Sequence, residues 1–95
     1  MNAAEIKAIR AKLGITQVQL AQLMGVHQIT VTRWESEADP SEPTDYQKAM
    51  LANFGKAAEK NEIGVGVGAM LAAVGVIAVV FYLLSLAFNE KDKKS

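Results

Sequence analysis

The chain of 95 residues contains no cysteine, two prolines, one histidine and one tryptophan, and its formal net charge is zero. Without cysteine there is neither a disulfide nor a thiolate metal site. The single histidine, His27, has no second histidine or cysteine with which to share a metal, so no metal and no cofactor is expected. Paired carboxylates in a pocket-forming context are also missing, because the acids fall on turns and connectors where solvent keeps them ordinary. Gly64, Gly66 and Gly68 are not followed by the Lys-Ser/Thr of a phosphate loop. These absences point away from an enzyme. A chain this short holds one small domain.

The zero net charge hides a local pattern. Residues 1–34 carry Lys7, Arg10, Lys12 and Arg33 against Glu5 alone, a net of +3, whereas residues 35–45 carry five acids and no base. Hydrophobic residues make up 51% of the chain, and their distribution is more telling than their number. Residues 63–88, IGVGVGAMLAAVGVIAVVFYLLSLAF, are 26 consecutive residues without a charge. As one helix they would reach roughly 39 Å, more than the ~30 Å hydrocarbon core of a bilayer. The expectation is a single transmembrane helix over 63–88. The alternative, a buried hairpin of two short helices, needs a turn, and Gly75 alone is a poor one. The start, MNAAEIKAIRAKLG, lacks the layout of a signal peptide and reads as part of the folded domain.

Before that run the pattern is helical. Asn2 is placed to cap a first helix running to about Leu13, with Glu5 in its first turn and Ile6, Ile9 and Leu13 as one buried stripe. Gly14 ends it. Thr16-x-x-Gln19 is a capping box that starts a second helix. Leu20, Ala21 and Met24 face inward from it, and Gly25-Val26 makes a tight turn. A third helix begins near His27 or Gln28 and runs through Trp34 to about Ser36, with Val31 and Trp34 inward. Asp39-Pro40-Ser41-Glu42-Pro43 is turn chemistry. Thr44-x-x-Gln47 opens a fourth helix with Tyr46, Met50, Leu51 and Phe54 as its apolar face, which Gly55 ends or bends.

The stretch Thr16 to Glu35 thus has the form of a helix-turn-helix unit, whose second helix can enter the major groove of DNA. Ala21 supplies the small residue that two steeply crossing helices need, and Gly25 the left-handed turn. On Ile6, Arg10, Leu13-Gly14-Ile15-Thr16-Gln17, Leu20-Ala21, Gly25-Val26, Val31 and Arg33-Trp34-Glu35, the sequence resembles the XRE family, the Cro- and phage-repressor-type helix-turn-helix domains. The resemblance covers about Ile6 to Phe54. It implies a fold of four or five short helices, a phosphate contact from Gln17, and base-edge contacts from His27, Gln28, Ile29, Thr32 and Arg33. It also implies a pairing of Arg10 with Glu35, while Trp34 belongs to the core. Those residue types suit the task, since Gln pairs with adenine, Arg with guanine, and Ile meets a thymine methyl. Two positions depart from the family pattern: His27 stands where Ser or Thr usually caps the recognition helix, and Glu37 where one branch has glycine.

The expected architecture is therefore all-α. A helix-turn-helix bundle of about four helices spans 1–55 and a helical connector 56–62. The transmembrane helix follows over 63–88, and a polar tail over 89–95. Gly64, Gly68, Ala72 and Gly75, spaced by four, four and three, put small residues on one face of that helix. Such a face suits a homodimer, packing against a larger membrane-protein partner, or chance. The leading functional expectation is a bacterial or phage-derived DNA-binding transcriptional regulator, anchored in the inner membrane with its N-terminal domain cytoplasmic. The alternative is an accessory subunit of a membrane complex, with the helix-turn-helix head as a protein-docking module. A pore-forming peptide is a third reading, opposed by the lack of a polar stripe across the run.

Overall fold

The computed structural model describes residues 1–38, 41–60 and 66–88. These residues form six helices: α1 (Ala3–Leu13), α2 (Gln17–Met24), α3 (Gln28–Trp34), α4 (Asp45–Lys60), α5 (Val67–Val74) and α6 (Val76–Phe88). No strand occurs among the described residues.

Side-chain capping boxes start α1, α2 and α4, and glycines in the left-handed region close α1 and α2. The Asn2 side chain accepts from the Glu5 amide at 2.8 Å, and the Glu5 carboxylate accepts from the Asn2 amide at 2.8 Å. This reciprocal box satisfies two of the donors that a helix N-terminus leaves without partners. Thr16 and Gln19 do the same for α2, and Thr44 and Gln47 for α4. Gly25, at φ 70°, closes α2 in the left-handed region and turns the chain toward α3. His27 occupies the N-cap position of α3 and makes no side-chain cap, in keeping with its poor capping chemistry.

The core is shared by every helix. Ile6 and Leu13 of α1, Leu20, Ala21 and Leu23 of α2, Val31 and Trp34 of α3, and Leu51, Phe54 and Ala57 of α4 are buried. Ile9 and Met24, expected in the core, are half-buried against its edge. Tyr46 departs from the expected apolar face of α4 and is largely exposed. Leu23 lies within the core although the helical pattern did not single it out, because α2 packs against both α3 and α6 and so buries more than one face. The fourth helix neither ends nor stops at Gly55 but continues to Lys60, taking in most of the expected connector. Residues 61 and 62 lie outside the described residues.

Gly55 has a structural reason to be glycine. It is buried, and a Cβ built there would meet Cγ1 of Ile9 at 3.2 Å. The missing side chain lets α4 lie close on α1.

The uncharged run differs from expectation. A single transmembrane helix over 63–88 is not formed: α5 and α6 are separate helices of eight and thirteen residues, broken at Gly75. Gly75 sits at φ 89° and ψ 171°, a backbone conformation that side chains with a Cβ rarely adopt. The α6 helix packs along α4 and touches α2, and Val67, Val79, Leu83 and Ala87 join the common core. No helix among the described residues is long and apolar enough to cross a membrane. Gly75 alone breaks the run into two helices. The expected tail, 89–95, lies outside the described residues.

Candidate nucleic-acid interface

The face formed by α3 and the start of α2 gathers the residues singled out for DNA contact. Helix α3 is short, and its buried residues Val31 and Trp34 are three apart, which fixes its rotation on the core. His27, Gln28, Ile29, Thr32 and Arg33 are exposed; Ile29, Thr32 and Arg33 lie on the side away from Val31 and Trp34, Gln28 on its flank, and His27 at the N-cap. Ile29 is 56% exposed, an isoleucine left in solvent at the outer face of a seven-residue helix. An apolar side chain in that position is available to a partner's apolar group, and a thymine methyl is one.

A connected set of polar bonds holds this face. Arg10 on α1 donates from Nε to Glu35 Oε2 at 2.8 Å, and from Nη2 to Glu35 Oε1 at 3.0 Å, the bidentate geometry of a guanidinium on a carboxylate. Its third donor reaches the Ile15 carbonyl at 3.2 Å. Gln17 Nε2 donates to the same Glu35 Oε1 at 3.0 Å, and the Thr32 hydroxyl lies 3.0 Å from Gln17 Oε1 and 3.1 Å from the Gln28 carbonyl. Three helices are thereby joined through one carboxylate at the C-terminal end of α3. The expected Arg10–Glu35 pairing is present. What the sequence did not signal is that Gln17 and Thr32, two of the expected DNA contacts, belong to the same network.

Glu35 is 4% exposed, the one charged residue in the buried set among the described residues. Burial pushes its carboxyl up. The hydrogen bonds from Arg10 and Gln17, with the charges of Arg10 and Lys7, outweigh this and hold it below the usual carboxylate range. The Arg10 guanidinium is raised in turn, chiefly by its hydrogen bond to Glu35, with burial acting against the rise. An acid that could have faced DNA is instead neutralised inside the domain. Glu37 remains exposed.

The small residues of the apolar run are placed differently from one another. Gly68 lies against α2, where a Cβ would meet Gln19 Nε2 at 3.2 Å. Ala72 is exposed on α5, Gly75 is the break between α5 and α6, and Gly64 lies outside the described residues. Ala21 is buried on α2, which packs against α3, and Gly25 closes α2 in the left-handed region. No group of three His, Asp or Glu suited to a metal occurs among the described residues.

A family model described as helix-turn-helix matches residues 6–45, which is α1 from Ile6 on, α2, α3 and the segment up to the first residue of α4. The match covers under half of the chain and stops well short of the uncharged run. No curated protein and no solved structure matches the chain.

Proposed function

We propose that the protein is a DNA-binding transcriptional regulator whose α3 enters the major groove. The observation that carries this reading is the exposed set His27, Gln28, Ile29, Thr32 and Arg33 on a helix locked to its neighbours by Arg10, Glu35 and Gln17. In this reading Gln28 and Arg33 read base edges, Ile29 meets a thymine methyl, and His27 and Thr32 flank them. Gln17, whose amide is already oriented by Glu35 and Thr32, presents its remaining donor to a phosphate oxygen. The helix-turn-helix match over residues 6–45 supports the class of activity. Burial of Glu35 supports it too, because it removes one acid from the contact face.

Selection from a pool of random duplexes by the full chain, at low and at near-physiological salt, tests the proposal. A short motif enriched at both salts is the expected outcome. Binding that selects nothing and vanishes as salt rises would be purely electrostatic and would defeat it; the head would then be the protein-docking module of the alternative reading.

We further propose that the protein acts while attached to a membrane through residues 63–88. Support comes from the 26-residue run without a charge and from the outward side chains of α5 and α6, which include Val74, Ile77, Phe81 and Phe88.

A further inference from the structure

The α5–α6 unit carries an apolar surface that the rest of the described structure does not cover. Val74 is 61% exposed, Ile77 74%, Phe81 70% and Phe88 63%. Ile77, Phe81 and Phe88 follow one another by four and seven residues, so they stand along one side of α6. No charged residue lies anywhere between Gly66 and Phe88 to interrupt this surface. Contiguous apolar surface of this kind marks a place where something else docks.

The length of the segment identifies what docks. Alone, α5 and α6 reach about 12 and about 20 Å, and neither crosses a hydrocarbon layer of about 30 Å. Together with Gly75 they comprise twenty-two residues, which as one straight helix would extend about 33 Å. Among the described residues, α5 and α6 are separated by Gly75 alone, at φ 89°. A Cβ built on Gly75 has no atom within 4 Å, so no neighbour crowds the backbone at the break. The helix against which α6 lies, α4, ends in Lys60, whose Nζ is buried without a hydrogen-bond partner among the described residues. A buried donor left unsatisfied costs free energy wherever it sits.

We propose that the α5–α6 surface takes lipid hydrocarbon, and that Gly75 is the hinge at which the pair, docked on α4, opens into one bilayer-spanning helix. The proposal rests on the membrane attachment put forward above and adds its mechanism. Docking on the head and insertion in lipid are then alternative states of one segment. Opening also frees the face of α4 and the edge of α2 that α6 occupies, so lipid and head compete for the same side chains.

The chain has no cysteine, so Ala52→Cys on α4 and Ser85→Cys on α6, both exposed positions, accept a pair of spin labels without background. The full chain, labelled and diluted from mild detergent, is measured alone and with vesicles of phosphatidylcholine and phosphatidylglycerol, with flotation of the same samples. Alone, a single short distance is expected. With vesicles, the protein floats and a second population appears beyond about 30 Å, the span of the opened helix. Gly75→Ala makes the docked form strained and the straight helix easier, and raises the long-distance fraction relative to the short by about tenfold. Failure to float overturns both the attachment and the hinge. Flotation with an unchanged short distance leaves attachment standing and overturns the hinge. A concentration-dependent dimer without lipid, together with no flotation, assigns the surface to a second copy of the chain and overturns the proposal.

Discussion

One carboxylate ties the recognition face together. Glu35 accepts from Arg10 twice and from Gln17 once, so its loss is felt on α1, α2 and α3 at the same time. Replacing it with Gln keeps the shape but removes the charge from three hydrogen bonds, leaving Arg10 without its counter-ion. Glu35→Gln is expected to destabilise the fold by about 1–3 kcal/mol, measured by urea unfolding followed through Trp34, the single and buried tryptophan. The pH dependence follows from the depressed carboxyl. Its stabilisation is fully present above the unfolded-state value of about 4.3, and is lost as pH falls through the lower folded-state value. Unfolding titrations below about pH 4 should therefore show a loss of stability in the parent chain that Glu35→Gln lacks. Equal acid sensitivity in both would mean that Glu35 is not held as its partners imply. The pairing itself was legible, since Arg10 and Glu35 belong to a recognised pattern. The participation of Gln17 and Thr32 was not, because a polar residue at a helix start gives the same sequence signal whether it faces solvent or a buried acid.

At the scale of the element, the capping residues announced the helix starts. Asn2, Thr16 and Thr44 each sit three residues before a Glu or Gln, and all three boxes form. Gly55 and Gly75 were harder to read. A glycine inside a helical pattern signals a stop, a bend or a close approach equally, and only the neighbours decide. Gly55 proves to be the close approach, with Ile9 against it, and α4 runs on. Gly55→Leu is expected to cost about 1–3 kcal/mol in urea unfolding, and Ile9→Ala in the same chain to recover part of that loss. Additive losses would show that the α1–α4 approach at this point is not what requires glycine. Gly75 is the reverse case, with free space around it and a backbone conformation that needs glycine. Tyr46 was placed on the apolar face of α4 by spacing alone, yet it falls in the first turn, where the core has not begun.

For the whole molecule, composition and structure pull in different directions. The uncharged run predicts a spanning helix by length and hydropathy, and the folded chain divides it at Gly75 and lays α6 along α4. Hydropathy reports that a segment will leave water; it does not say whether lipid or the protein's own core receives it. The helix-turn-helix half was more legible because its positions are restricted by geometry: a small residue at the crossing, glycine at the turn, and two buried residues three apart on α3. The side opposite Val31 and Trp34 is then set by elimination, and it holds Ile29, Thr32 and Arg33, with Gln28 exposed at its flank. The central claim is that these side chains read DNA sequence, and the most direct measurement is a ratio. The dissociation constant of the full chain for its selected duplex, divided by that for an unrelated duplex at the same salt, should differ from unity by several orders of magnitude. Gln28→Ala and Arg33→Ala should each raise the ratio toward unity by roughly five- to 150-fold, about 1–3 kcal/mol of lost discrimination, with non-specific affinity changed much less by Gln28→Ala. A ratio near one for the parent chain, or one that neither substitution moves, would contradict the claim.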